Sequence, residues 1–174
     1  MAILKSMETK IIQFITLLLL LLVSGLFWGT WFSLSQSIEN FSAAEFIHIG
    51  KTIISNVAFP MRIILPLCIL CMLISAWWYP AKKTVEFYFG IASIVLILMS
   101  LLITLIVEVP IDNQIKLWTA SNLPADWEAI RTKWQFFHGL RTLTSIASFA
   151  CFAIMSIFYA SVTSITDSNS LTRL

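Results

Sequence analysis

The stretch that decides the fold is VEFYFGIASIVLILMSLLITLIV, residues 85–107, in which Glu86 is the one charged residue. About 20 apolar residues in helical conformation cross the ~30 Å hydrocarbon core of a bilayer. Further runs of such length lie at residues 11–35, 61–79 and 136–162. The chain of 174 residues is 59% hydrophobic, with a mean hydropathy of +0.89, whereas soluble domains are roughly 45–50% apolar. The sequence therefore predicts an integral, multi-pass membrane protein.

The expected fold is an all-α four-helix bundle that forms a single membrane domain over residues 1–174. Between helices 1 and 2, Ser42 and Glu45 have the spacing of a capping box, and an apolar stripe follows them. This pattern predicts an amphipathic helix between helices 1 and 2 that lies on the bundle or the membrane surface. The first run also carries Gly25 and Gly29 on one face, which is typical of a close approach by another helix.

A short helix is expected between helices 3 and 4. Pro110 should end helix 3, because the residue before a proline avoids helical geometry. Asp112 or Asn113 can then cap the short helix, and Asp126 should begin a long final helix that continues into the membrane.

The cysteines lie inside apolar runs, at Cys68, Cys71 and Cys151. Cys68 and Cys71 have C-x-x-C spacing, which in a soluble chain would indicate zinc or redox chemistry. A buried cysteine in a membrane helix behaves as a small hydrophobic residue, so we expect neither a metal nor a disulfide. The net charge of +2 and the lack of a basic helix give no indication of nucleic-acid binding.

Lysine and arginine residues indicate the orientation, because cytoplasmic loops are enriched in them. If the four helices alternate, the side of the N-terminus receives Lys5, Lys10, Lys82, Lys83 and Arg173, and the other side receives Lys51, Arg62, Lys116, Arg131, Lys133 and Arg141. The first set is concentrated in short segments, and several arginines of the second set can belong to a site. We expect both termini in the cytoplasm and the protein in the cell (inner) membrane.

The polar residues of the chain concentrate between residues 108 and 141. At 100° per residue, Trp127, Arg131, Trp134, His138, Arg141 and Ser145 fall within an arc of about 80° on the last helix. Helix 3 carries a second polar face with Ser93, Ser100, Thr104 and Glu108. Two such faces should meet, since ionisable side chains in a membrane pair with one another or line a wet cavity. The candidate catalytic residues are His138, Arg141, Asp112 and Glu108, and the candidate substrate-binding residues are Asn113, Trp134 and Arg131.

This set of side chains suits an acidic, flat, lipophilic ligand, although each pair could also be purely structural. His138 has an ordinary pKa of about 6.5 and can accept a proton near neutral pH. Arg131 or Arg141 can stabilise an oxyanion, and Trp134 can stack on an aromatic ring. Glu108 or Asp112 can orient His138 or act as the base, and spacing does not rank these roles.

Several of these residues occur together in one known family: Gly25 and Gly29 in helix 1, the Val109-Pro110-Ile111-Asp112-Asn113 turn, and Trp134, His138 and Arg141 as W-x-x-x-H-x-x-R. From Gly25 onward, the chain resembles the four-helix membrane family that includes the anthrone oxygenases. The family's usual turn is similar to Pro-x-Asn-Asn, so Asp112 places a carboxylate where a neutral group is usual. The resemblance implies a site at Asn113, Trp134, His138 and Arg141. It also implies oxidation of anthrones to anthraquinones by molecular oxygen, with no established organic cofactor.

In this interpretation a base removes the benzylic proton of a phenolic substrate, arginine stabilises the enolate, and the carbanion reacts with oxygen without a metal. With His138 as the base, His138→Ala is expected to abolish turnover and to leave folding intact.

Two other classes remain open at the level of sequence. One is a haem- or quinone-binding redox protein, in which His138 is an axial ligand, an arginine binds a propionate and His48 is the second ligand. The other is a non-enzymatic transport or assembly subunit that uses the polar cluster for a proton or a small solute. The lipid bilayer is an expected partner in every class. A lipophilic small molecule is expected for the oxygenase and for the haem- or quinone-binding protein, and a homo-oligomer is compatible with all three classes.

Overall fold

The computed structural model describes residues 2–35 and 37–159. Residues 160–162 of the predicted fourth membrane helix, and Arg173, lie outside the described residues. In the described part, the chain forms α1 (Ala2–Thr30), a π-helical turn (Trp31–Ser35), a 3₁₀ turn (Ile38–Asn40), α2 (Ala43–Trp78), α3 (Val85–Ile103), a second π-helical turn (Thr104–Glu108), α4 (Val109–Leu117) and α5 (Trp127–Ile157). The all-α four-helix architecture is confirmed.

The distribution of side chains is that of a membrane protein. Four helical stretches are long and apolar enough to cross a bilayer: Met7–Leu34, Ala43–Trp78, Val85–Leu117 and Trp127–Ile157. Large apolar side chains such as Leu21, Leu70 and Leu102 are exposed on the outside, whereas serine, threonine, histidine and glutamate side chains are buried between the helices. This is an integral membrane bundle.

The predicted amphipathic helix is the N-terminal part of α2. The capping box is formed, because the Ser42 hydroxyl accepts from the Glu45 main chain and the Glu45 carboxylate accepts from the Ser42 main chain. The helix then continues through Pro60 and Pro66 into the second membrane span. A proline within a membrane helix is tolerated where neighbouring helices support the segment, so the chain has one long helix here instead of two.

Helix 3 also continues past its proline. The π-helical turn ends at Glu108, and Pro110 follows it inside the continuous helical stretch Val85–Leu117. A local π-helical adjustment re-satisfies the backbone groups that a proline frees in a membrane helix. The predicted short helix is therefore present as α4. The expected capping by Asp112 or Asn113 is wrong, since α4 begins at Val109 and both residues lie inside it.

Hydroxyl groups on the helix faces hold the bundle together. Ser93 and Ser148 exchange hydrogen bonds between hydroxyls and main-chain carbonyls across α3 and α5, at 2.7 and 2.8 Å. The Ser100 hydroxyl donates to the Arg141 carbonyl at 3.2 Å, and the Ser24 hydroxyl of α1 donates to the Ser145 carbonyl at 3.0 Å. These bonds place the polar face of α5 between α1 and the end of α3.

Gly25 and Gly29 of α1 do not have the expected role in helix packing. A Cβ atom added at Gly25 or Gly29 would meet nothing within 4 Å, so no described helix makes the predicted close approach there. The close contact lies on α5, where a Cβ at Gly139 would come within 3.0 Å of the Trp31 indole nitrogen. This contact brings the π-helical end of α1 against α5, one residue from His138.

Candidate functional site

The centre of the site is a buried ion pair between the end of α3 and α5. Glu108 is fully buried, and its Oε2 lies 3.0 Å from Nη2 of Arg141 and 3.8 Å from Nδ1 of His138. The π-helical turn that precedes α4 presents Glu108 to α5. A buried carboxylate needs a counter-charge, so Glu108 neutralises Arg141 within the bundle.

His138 uses one ring nitrogen to hold the same arginine. Nδ1 of His138 lies 3.0 Å from Nε and 2.7 Å from Nη2 of Arg141. A guanidinium can only donate hydrogen bonds, so Nδ1 is the acceptor and the ring proton is on Nε2. Nε2 is buried beside the main chain of Phe27.

Aromatic rings enclose the histidine and the arginine. The Trp134 ring stacks on His138 at a centroid distance of 5.0 Å and an interplanar angle of 2°. Phe27 of α1 meets His138 edge-on at 6.4 Å and also lies 4.6 Å from Cζ of Arg141, in a cation–π contact. Phe27 was not predictable as a site residue, because an isolated phenylalanine in an apolar run has no distinguishing pattern.

The remaining end of Arg141 faces a cavity. Its Nη1 has one long contact, at 3.5 Å, to the Thr104 hydroxyl. The Arg141 side chain keeps 12% of its surface exposed and lines the cavity, whereas Glu108 lies behind it. Arg141 is therefore a fixed cation whose outer face is available to a ligand.

Asp112 and Asn113 bring α4 to the same cavity. Oδ1 of Asp112 accepts a hydrogen bond from the Trp134 indole N–H at 3.3 Å. The next residue, Asn113, is exposed and accepts from Lys116 at 3.1 Å. Asp112, Asn113, Trp134, His138 and Arg141 all line the cavity, so five of the seven predicted site residues come together.

The cavity has a volume of about 520 Å³ and is bounded by side chains from every long helix. That volume lies within the range of about 300–1,000 Å³ that is usual for small-molecule sites. Most of the wall is apolar, and Ile53, Val57 and Leu65 of α2 contribute to it; Arg62 and Lys116 add two cationic side chains. The cavity thus combines an apolar body with a polar end at Asp112 and Arg141.

Arg131 and Glu108 do not reach the cavity. Arg131 is buried, donates to the Ile38 carbonyl at 3.3 Å and lies over the Trp127 ring at 4.8 Å. It fastens the 3₁₀ turn to the start of α5, which is a structural contact. The residue His48 is exposed on α2 and is not part of the cavity wall, so His48 and His138 do not form the pair that the haem interpretation requires.

Sequence comparison identifies a family. The family model for anthrone oxygenase matches residues 52–151, which include most of α2, all of α3 and α4, and α5 past the polar cluster. No curated protein and no solved structure matches the chain.

Proposed function

This chain belongs to the anthrone oxygenase family, and we propose that it is a membrane oxidoreductase that oxidises a flat, lipophilic phenolic ketone with molecular oxygen. The substrate class is a fused-ring ketone of the anthrone type, with an acidic benzylic C–H group opposite the carbonyl. The observation that carries the proposal is the apolar cavity that ends at a carboxylate and a fixed arginine.

The apolar wall suits the rings of such a substrate. A ligand of this class gains free energy of about 25 cal/mol for each Å² of apolar surface that leaves water. The polar end then fixes its orientation, since Arg141 presents a guanidinium to the ligand oxygen and Asp112 presents a carboxylate. An apolar cavity with few polar groups at one end is the usual form of a small-molecule site.

Two apolar side chains support access to the cavity from the side that faces lipid. Leu105 and Val109 line the cavity and are 55% and 37% exposed. A lipophilic substrate dissolved in the bilayer can enter between α2 and the α3–α4 junction without crossing water. This access favours a lipid-soluble substrate over the small solute of a transport subunit.

The reaction balances with oxygen alone. Removal of a benzylic proton leaves an enolate, whose negative charge lies on the carbonyl oxygen beside Arg141. The carbanion carbon forms a C–O bond with oxygen, and loss of the second benzylic proton with cleavage of the O–O bond gives a new carbonyl and water. One CH₂ group and one O₂ thus become C=O and H₂O, and the protein supplies proton transfer and electrostatic stabilisation.

The test uses the purified full chain in lipid vesicles with an anthrone under ¹⁸O₂. We expect quinone formation faster than in protein-free vesicles, with one ¹⁸O atom in the product. Arg141→Gln should lower the rate by about 100- to 1,000-fold, as does loss of a transition-state hydrogen-bond donor in other enzymes. Lys133→Gln, a change at an exposed α5 residue outside the cavity, is the matched control. An oxidation rate equal to that of empty vesicles would refute the proposal.

A further inference from the structure

The roles of the polar residues can be assigned more closely within the proposed function. We propose that Asp112 is the catalytic base that takes the benzylic proton, and that His138 is a positioning residue that holds Arg141 in place. Of the three bases that the sequence leaves open, this assignment selects Asp112 over His138 and Glu108.

His138 has no nitrogen free to receive a proton from a ligand. Its Nδ1 lone pair accepts from Arg141 at 2.7 and 3.0 Å. Its Nε2 carries the ring proton and is buried, and the side chain as a whole is 1% exposed between Trp134 and Phe27. A proton on Nδ1 would also place a second cation against the guanidinium. Although His138 lines the cavity, the ring can therefore orient Arg141 but has no free lone pair for a substrate proton.

Glu108 is excluded by its place in the bundle. It is 0% exposed and is not part of the cavity wall. Its Oε2 is at ion-pair distance from Arg141, and the guanidinium needs that carboxylate charge as its counter-charge. Glu108 therefore acts as the counter-ion of Arg141.

Asp112 has the access that the other two lack. It is partly exposed, and among the described residues that line the cavity it is the one carboxylate. The Trp134 indole binds Oδ1, which leaves Oδ2 for a ligand. Arg141 is close enough to interact with the charge of Asp112, so the base and the oxyanion-binding cation line the same part of the cavity.

The W-x-x-x-H-x-x-R pattern of α5 then has a physical explanation. Trp134 orients Asp112 through its indole N–H and stacks on His138. His138 orients Arg141 through Nδ1. Residues three and four apart on a helix lie on one face, so the three side chains form one row. Trp134 and His138 position other groups, and Arg141 contacts the substrate.

The proposed step is a single proton transfer. The benzylic C–H bond breaks, an O–H bond forms at Oδ2 of Asp112, and the electron pair moves through the ring onto the ketone oxygen opposite Nη1 of Arg141. No oxidant takes part in this step. It can therefore be measured separately from the oxidation that follows.

The experiment measures deuterium incorporation at the benzylic carbon of an anthrone in D₂O under argon, with the full chain in lipid vesicles. We expect the parent protein to accelerate exchange and Asp112→Asn to lower that rate by about 100-fold or more, which is the usual contribution of a general base. Asparagine is nearly isosteric and can still accept from Trp134, so the fold should persist. Glu128→Gln, which removes an exposed carboxylate outside the cavity, should exchange at the parent rate.

Two variants of His138 separate positioning from catalysis. His138→Asn places an amide oxygen near the position of Nδ1, and should retain exchange to within about tenfold, since it keeps one acceptor for Arg141. His138→Ala lacks the acceptor, so its exchange rate should fall much further than that of His138→Asn. Partial recovery by asparagine would not occur if the histidine were the base.

Each outcome decides the proposal. Unchanged exchange in Asp112→Asn, equal loss in His138→Asn and His138→Ala, or no exchange by the parent protein would overturn it. Exchange that depends on Asp112, together with no quinone formation under oxygen, would support the assignment of the base and refute the oxidation proposed above.

Discussion

At the scale of single residues, the ion pair of Glu108 with Arg141 is the contact whose loss should lower the free energy of unfolding most directly. Glu108 is fully buried and the Arg141 side chain is 12% exposed, with Oε2 and Nη2 at 3.0 Å. Breaking a buried pair from one side is costly because it leaves an uncompensated charge. We predict that Glu108→Gln lowers the free energy of unfolding by about 3 kcal/mol, measured by thermal unfolding in detergent, while Glu39→Gln at an exposed position has no effect.

The double variant tests whether the effect comes from the charge. Glu108→Gln combined with Arg141→Gln removes both charges, and we expect it to be more stable than Glu108→Gln alone because no buried cation remains. It should also fail to turn over an anthrone, since the oxyanion-binding group is lost. Equal instability of the single and double variants would assign the effect to side-chain packing.

At the scale of helices, regular periodicity predicted α5 well and the α3–α4 junction poorly. The angle of 100° per residue correctly placed Trp134, His138 and Arg141 on one face. It placed Arg131 there too, but Arg131 packs on the carbonyl of Ile38, a contact between distant segments that no local pattern contains. The π-helical turn before α4 adds a residue to one turn and has no signature in hydropathy. The sequence therefore placed Asp112 in the site, but as a helix cap and not inside a helix that continues from α3.

The π-helical turn makes a testable prediction. Deletion of Ile106, which is 68% exposed, should restore regular α-helical hydrogen bonding. Because the wider turn absorbs its one extra residue, the rotation of α4 against α3 should stay nearly the same. Asp112 should then keep its contact with Trp134, and a loss of anthraquinone affinity of about tenfold or more, equivalent to about 1.4 kcal/mol, would contradict this. Quenching of tryptophan fluorescence gives the affinity, and circular dichroism should show unchanged helix content. Ile106→Ala, which keeps the residue count, should bind as the parent does.

For the molecule as a whole, the number and length of the apolar helices determine which connecting segments lie at the same membrane interface. The turns at residues 37–42 and 118–126 lie at one end of the bundle, as the contact of Arg131 with Ile38 shows. The hairpin between α2 and α3 lies at the other end with the last described residues, where the rings of Tyr79 and Tyr159 meet. The sequence could therefore predict that the polar residues gather at one interface. It could not predict the cavity, because its apolar wall comes from α2 side chains that resemble any other membrane-helix residues.

The orientation of this arrangement in the cell is a further prediction. If Lys82 and Lys83 are cytoplasmic, the cavity lies toward the outer leaflet, and its substrate enters from there. We propose to replace Cys68, Cys71 and Cys151 with alanine and to introduce single cysteines at two exposed positions, Ser121 and Lys83. A membrane-impermeant maleimide should label Ser121→Cys in intact cells and Lys83→Cys after permeabilisation, and the cysteine-free chain should stay unlabelled. Labelling of Lys83→Cys in intact cells would reverse the orientation and place the cavity, with the entry proposed beside Leu105, at the cytoplasmic leaflet.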